Sequence, residues 1–185
     1  MIQLRTKLRA RERWAGELGQ AAVEVALIVP LAMTLLFGVY QLARVFYVYH
    51  TLQKAVRGGA GLLARTGGVN YCDASDPNIT AVKNFIVFGN LQGGVAPIVT
   101  GLDQTPINIV GERLQTGLTS LDLCPCGTGD ADSCDISGGR APDFVVINLG
   151  DGGSGFPLSV VFPFVTLNPP SLNLKVSVRM PVTSN

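Results

Sequence analysis

The feature that most constrains this chain is the run from Ala21 to Val39, nineteen residues that contain a single carboxylate, Glu24. About 20 apolar residues suffice to cross a bilayer as a helix. From Val25 to Tyr40 no residue is charged, whereas Arg5, Lys7, Arg9, Arg11 and Arg13 precede the run against only Glu12 and Glu17. A cationic flank of this kind keeps the first residues on the cytoplasmic side and sends the remainder across. A cleaved secretory signal has an apolar region of about 7–15 residues, ending at a small-residue site. Here the run is longer and passes into Arg44-Val-Phe-Tyr-Val-Tyr without such a site, so the expectation is a retained anchor.

Helical signals continue past the run. Leu42, Val45, Phe46, Val48, Tyr49, Leu52, Val56 and Leu63 share a broad apolar face, opposite Gln41, Arg44, Gln53, Lys54 and Arg57. The stop is expected at Gly58-Gly59, or after Arg65 at Gly67-Gly68. A helix over about residues 20–65 is roughly 70 Å long, with a first half suited to lipid and a second half suited to packing on a body. Two residues in the span stand out. Pro30 removes a backbone donor and is expected to kink or locally melt the helix, although membrane helices tolerate proline. Glu24 is costly in an apolar layer unless it is paired or sits near the interface. It is either solvated at the edge or paired with a cation supplied by processing or by a neighbouring subunit.

Gly19-Gln-Ala-Ala-Val-Glu24 resembles the recognition pattern of prepilin peptidases, with glycine before the cut and glutamate fifth in the mature chain. With Val25-Ala-Leu-Ile-Val-Pro30, Phe37-Gly38 and Leu52-Gln-Lys-Ala-Val-Arg57-Gly-Gly-Ala60, the stretch from about 16 to 61 resembles the TadE-like family, minor pseudopilins of tight-adherence (Flp-type) pili. The resemblance implies that Gly19 precedes the scissile bond. Gln20 then becomes the new N-terminus, with an amine open to methylation, and Glu24 is the charge partner of such an amine. Gln20 departs from the bulky apolar residue common at this position in other type IV pilins. The partners implied are a prepilin peptidase, other pilin subunits, an inner-membrane assembly platform and the lipid bilayer. The location implied is the inner (cytoplasmic) membrane, single-pass, with the N-terminus cytoplasmic and the C-terminal body exported, in a surface filament or at its base.

The expected organisation is therefore a basic leader (1–19), a long helix (20–66, spanning the membrane at about 21–40) and an exported body (67–185). In the body, Asp76-Pro77-Asn78 announces a short helix ending at Gly89-Asn90. Strands are expected at Pro106–Val110, Phe144–Leu149, Leu158–Val165 and Leu174–Val182. The last is the clearest: Leu174, Val176, Val178, Met180 and Val182 alternate with polar residues. The fold class is α+β, a long pilin-like helix packed on a small antiparallel-sheet body with one short helix.

Cys72, Cys124, Cys126 and Cys134 all fall in the exported part, where disulfides form. Four cysteines allow three pairings. A Cys124–Cys126 bridge would close too tight a loop, so Cys72 is expected to take one of these two and Cys134 the other. Cys-Pro-Cys lacks structural zinc spacing, and the lone histidine, His50, lies on the long helix. Free thiols are the remaining alternative. Asp130, Asp132 and Asp135 crowd one loop and are weak calcium candidates, since Ala141 stands where an EF-hand needs its last glutamate. A solvated acidic turn suits them better.

Several function classes recede. Near-neutral charge (+1) argues against nucleic acid as a partner. Gly150-Asp-Gly-Gly-Ser-Gly155 has the glycine spacing of a dinucleotide loop. A strand-like segment follows it, however, and no acid stands near 175, so a flexible hairpin loop is expected instead. No Ser/His/Asp set can be assembled around His50, and neither a catalytic role nor a cofactor is expected. Asn78-Ile-Thr80 is a glycosylation sequon that is uninformative in a bacterial chain. The leading functional expectation is a structural or priming subunit of a pilus that mediates surface adhesion. The alternative is an envelope-anchored extracytoplasmic binding module with an uncleaved anchor.

Overall fold

Helix α1 is a single α-helix over Ile2–Leu63 in the computed structural model. The structure describes residues 2–114, 121–127, 133–135, 141–150, 155–158 and 172–183, with the side chains of 2–18 and of 172 outside that description. The helix begins earlier than the expected residue 20. The leader is rich in Leu, Arg, Lys and Glu, all good helix formers, and has no proline to stop it. It also passes through Pro30 without a change to another backbone state, so the expected local melting is not seen. The chain divides into two compact units, residues 1–44 and 45–185.

In the first unit the described apolar side chains are largely uncovered. Leu27, Leu31, Leu35 and Leu36 are all at least 64% exposed. Burying such a side chain is worth about 1.5–3 kcal/mol, so this surface calls for an apolar surrounding that the described residues of this unit do not supply.

The second unit is organised on the C-terminal part of α1. Val48, Leu52, Val56, Ala60 and Leu63 recur at three- and four-residue spacing and are buried, Leu52 and Val56 completely. The short helix α2, Pro77–Phe88, lays Ile79, Val82, Ile86 and Val87 into the same core. Asp76 caps it, accepting from the amides of Asn78 (2.7 Å) and Ile79 (3.4 Å), with proline at the first helical position. At the other end Gly89 adopts φ +72° and its amide returns to Phe85 O. The expected cap, helix and stop are all present.

The long helix runs straight through Gly58-Gly59, the first of its two expected stops. A Cβ on Gly59 would lie 2.9 Å from Ile86 and 3.1 Å from Val82, and one on Gly58 would lie 3.0 Å from Phe85. The glycine pair is therefore a crossing point that lets α2 approach α1. The helix ends at Leu63, just before the alternative stop.

Four strands make the larger sheet: β1 (Ile107–Leu114), β2 (Leu121–Leu123), β3 (Phe144–Leu149) and, last in the chain, β6 (Val176–Pro181). They form an antiparallel sheet in the order β2-β1-β3-β6. Its register pairs Ile109 with Ile147, and Ile147 with Val178. Ile107, Ile109, Val145, Ile147, Leu149 and Val176 point into the core. The amide of Thr183 donates to Ala64 O at 2.9 Å, tying the chain after β6 to the end of α1.

The strand expected over Leu174–Val182 is two strands. Leu172–Leu174 (β5) pairs with Phe156–Leu158 (β4) in a separate two-stranded sheet, and β6 begins beyond Lys175. Alternation carries across such a switch because both sheets bury the same side. Of the expected Leu158–Val165 strand, Leu158 closes β4 and residues 159–165 lie outside the described residues. Strand β1 outruns its expected end at Val110, and β2 has no counterpart among the expected strands.

Candidate functional site

The residues singled out in the sequence fall in two places. The first is the start of the apolar stretch of α1. Gly19, Gln20 and Glu24 are all exposed and all helical. A Cβ on Gly19 would touch nothing within 4 Å, so the fold itself does not require glycine there. Glycine in a helix interior costs about 1 kcal/mol relative to alanine, which makes the Gly19–Gln20 peptide a weak point in the helix. Glu24 lies four residues, or about 6 Å of rise, beyond Gln20. The stretch Gly19–Leu63 is long and apolar enough to cross a membrane.

The second place is built by the cysteines. The structure pairs Cys72 with Cys126 and Cys124 with Cys134, deciding between the pairings the sequence leaves open, and no described cysteine is free. Cys72–Cys126 holds the loop after α1 to the loop after β2, and Cys124–Cys134 closes that second loop on itself. Hydrogen bonds reinforce the junction. Asn70 donates its backbone amide to Asp76 Oδ2 (3.0 Å) and its side-chain amide to Asp135 Oδ1 (3.2 Å), and its own Oδ1 accepts from the amide of Cys72 (3.0 Å). Cys124 N donates to Gly111 O and Cys134 N to Pro125 O. Gly111 is packed close, since a Cβ there would sit 3.0 Å from Pro142 and 3.4 Å from Cys124 Sγ. Beneath the junction, buried Arg113 donates to Ala141 O at 3.2 Å. Neither Asn70 nor Arg113 carries a sequence signal, because a hub is defined by partners up to 65 residues away.

Electrostatics at this junction are modest. Tyr71 has a buried hydroxyl with no hydrogen-bond partner among the described residues. Burial, and secondarily the negative charge of Asp76, push its phenol well above the usual tyrosine range. Asp73 is exposed, and hydrogen bonds from the Ser75 side chain and amide hold its carboxyl below the usual range. Of the calcium candidates, Asp135 serves as an acceptor for Asn70, while Asp130 and Asp132 lie outside the described residues. Among the described residues no three His, Cys, Asp or Glu side chains gather as metal ligands.

The glycine-rich segment needs a correction. It does not make the expected hairpin, because β3 and β4 belong to different sheets and do not pair. Gly150 and Gly155 have φ of +108° and +70°. A Cβ on Gly150 would run into the backbone of Gly155, so the loop closes tightly at its base. The element after it is strand β4, not a helix. His50 is exposed on α1 and stacks edgewise on Tyr49.

Comparison with known proteins adds one finding. Residues 19–60 match the family model described as TadE-like protein. The matched segment begins at Gly19 and ends in the buried crossing of α1 with α2. No curated protein and no solved structure matches the chain.

Proposed function

We propose that this chain, TadE-like over residues 19–60, is a minor pseudopilin of a tight-adherence pilus, a structural or priming subunit anchored by α1. The observation that carries the reading is the double character of the matched helix. Its first half presents uncovered leucines and valines, and its second half is the spine of the body's core. A segment built this way anchors a subunit in lipid, and after release from lipid it offers an apolar face to other helices.

In this reading a prepilin peptidase cuts after Gly19. The leader's cations hold the site on the cytoplasmic side, and Gly19 eases the local opening of helix that any peptidase needs. Gln20 supplies a new ammonium and Glu24 its counter-charge, in the same or an adjacent subunit, and the body faces the exported side. The disulfides fit that compartment.

The test is the mass of the mature protein. Intact-mass spectrometry of the chain recovered from its native host should give a species beginning at Gln20. A mature protein still carrying residues 1–19 would overturn the pseudopilin reading and favour the uncleaved, anchored binding module. Gly19→Trp should block processing, whereas Gly19→Ala should slow it only mildly.

A further inference from the structure

The face of α1 turned away from the body carries a charge that the fold does not use. Val48, Leu52, Val56 and Leu63 face the core. On the opposite side, residues 50, 54, 57 and 61 recur at three- and four-residue spacing, and position 65, just past the helix end, continues the series. They present His50, Lys54, Arg57, Gly61 and Arg65. Lys54, Arg57 and Arg65 are exposed. None of the three makes an ion pair with a described residue. From Val25 to Leu63 the helix contains no Asp or Glu at all, so no acid stands one turn away to offset them. Lys54 and Arg57 are three residues apart, a spacing at which like charges disfavour the helix.

The remainder of the chain has the opposite balance. Past residue 65 there are ten Asp/Glu and five Lys/Arg. Asp73, in the loop after α1, and Asp122, on strand β2, are exposed, and the Cys72–Cys126 bond ties the first segment to the loop that follows the second. Asp73 adjoins Cys72, and Asp122 lies two residues before Cys124. One copy therefore displays a cationic helix face and an acidic, disulfide-held region, and exposed charges of opposite sign steer association and fix its register.

We infer that the cationic face of Lys54, Arg57 and Arg65 docks the acidic disulfide-held region of a second copy of this chain. This contact deepens the pseudopilin reading and rests on it. It is distinct from any pairing at Gln20 and Glu24, since it engages only the exported unit.

The experiment measures self-association of the full chain in neutral-headgroup detergent by sedimentation, at low and high salt. Association should weaken as salt screens the contact. Lys54→Glu with Arg57→Glu should weaken it about tenfold, the worth of two or three exposed pairs, while Lys54→Arg with Arg57→Lys should leave it unchanged. Mixing the Glu-substituted chain with a chain carrying Asp73→Lys and Asp122→Lys should restore association between the two. The inference is overturned if the wild-type chain stays single at low salt, or if the Glu substitutions leave its association intact. Capture by anionic phospholipid vesicles without association of copies would assign the face to lipid instead and also overturn it. Processing at Gly19 is read separately by mass, so a failure here with normal cleavage removes the docking contact and leaves the pseudopilin reading standing.

Discussion

At Gly59 the long helix has no room for one more carbon. A Cβ added there would fall 2.9 Å from Ile86, inside the distance any real Cβ keeps. Gly59→Ala must push α2 away or force Ile86 off its rotamer, at a cost of about 1–3 kcal/mol. Gly61, with nothing within 4 Å, is the internal control. Gly61→Ala gains helix propensity and should stabilise by about 0.5–1 kcal/mol. Thermal unfolding of the two variants, followed by circular dichroism, should shift in opposite directions. Equal shifts would show that the close approach is not what glycine supplies. Tyr71 makes a second residue-scale case. Its phenol is raised above its unfolded value of 10.0, so the folded state holds the proton more tightly. The stability this contributes is complete below about pH 10 and is lost as the pH rises from there toward the folded value. Stability should therefore fall on the alkaline side, and Tyr71→Phe should remove that fall. Because the hydroxyl is buried without a partner among the described residues, Tyr71→Phe should also cost little or nothing at neutral pH, whereas truncation of a satisfied hydroxyl typically costs about 1 kcal/mol. A loss of several kcal/mol at neutral pH would mean that the hydroxyl has a partner after all.

At the scale of elements, the two disulfides are unequal staples. Cys72–Cys126 closes 54 residues and Cys124–Cys134 closes 10. In the chain-entropy account the longer closure is worth about 4 kcal/mol and the shorter about 3. The Cys72→Ala, Cys126→Ala pair should lower the denaturation midpoint further than the Cys124→Ala, Cys134→Ala pair. The reverse order would show that packing around buried Cys134 outweighs loop closure. These elements also show what a sequence can carry. The apolar stretch of α1 and the Asp76-to-Gly89 helix are legible because their signals are local: a run of side chains, a cap and a stop. Strand Phe144–Leu149 is legible as an apolar run bounded by turns. What is not legible depends on partners distant in the chain. Gly58-Gly59 reads as a helix stop until α2 is laid across it. The alternation from Leu174 to Val182 says nothing about Lys175, where the chain leaves one sheet for another. Strand β2, at three residues, is too short to show a period and exists only by pairing Leu121–Leu123 with β1. The candidate site divides in the same way. Gly19, Gln20 and Glu24 are a spacing, and so can be read. The choice between Cys124 and Cys126 as the partner of Cys72 is a matter of geometry, which no spacing decides.

At the scale of the whole molecule, one carboxylate stands in the otherwise uncharged stretch from Ala21 to Val39. Glu24 is exposed on α1, and no acid follows it until beyond Leu63. If the chain is cut after Gly19, Glu24 lies one helical turn from a new ammonium. It is then placed to recruit the N-terminus of a neighbouring subunit as the two helices slide past each other. In an apolar layer every register in which these charges miss leaves a carboxylate unpaired, which costs several kcal/mol. Such a pair would act as a specificity device that selects one axial register more than it adds raw stability. Glu24→Gln keeps the size and removes the charge. It should leave membrane insertion and the fold of the second unit unchanged. It should leave cleavage at Gly19 intact, and it should reduce co-purification with other pilin subunits by about tenfold or more. Three measurements on one mutant separate the alternatives. Lost cleavage would make Glu24 a peptidase determinant. Normal cleavage with weakened recruitment is the outcome expected of a register pair. Normal cleavage with normal recruitment would leave Glu24 as a carboxylate solvated at the membrane edge, and the axial register of any assembly would then have to be set by residues 45–185 alone.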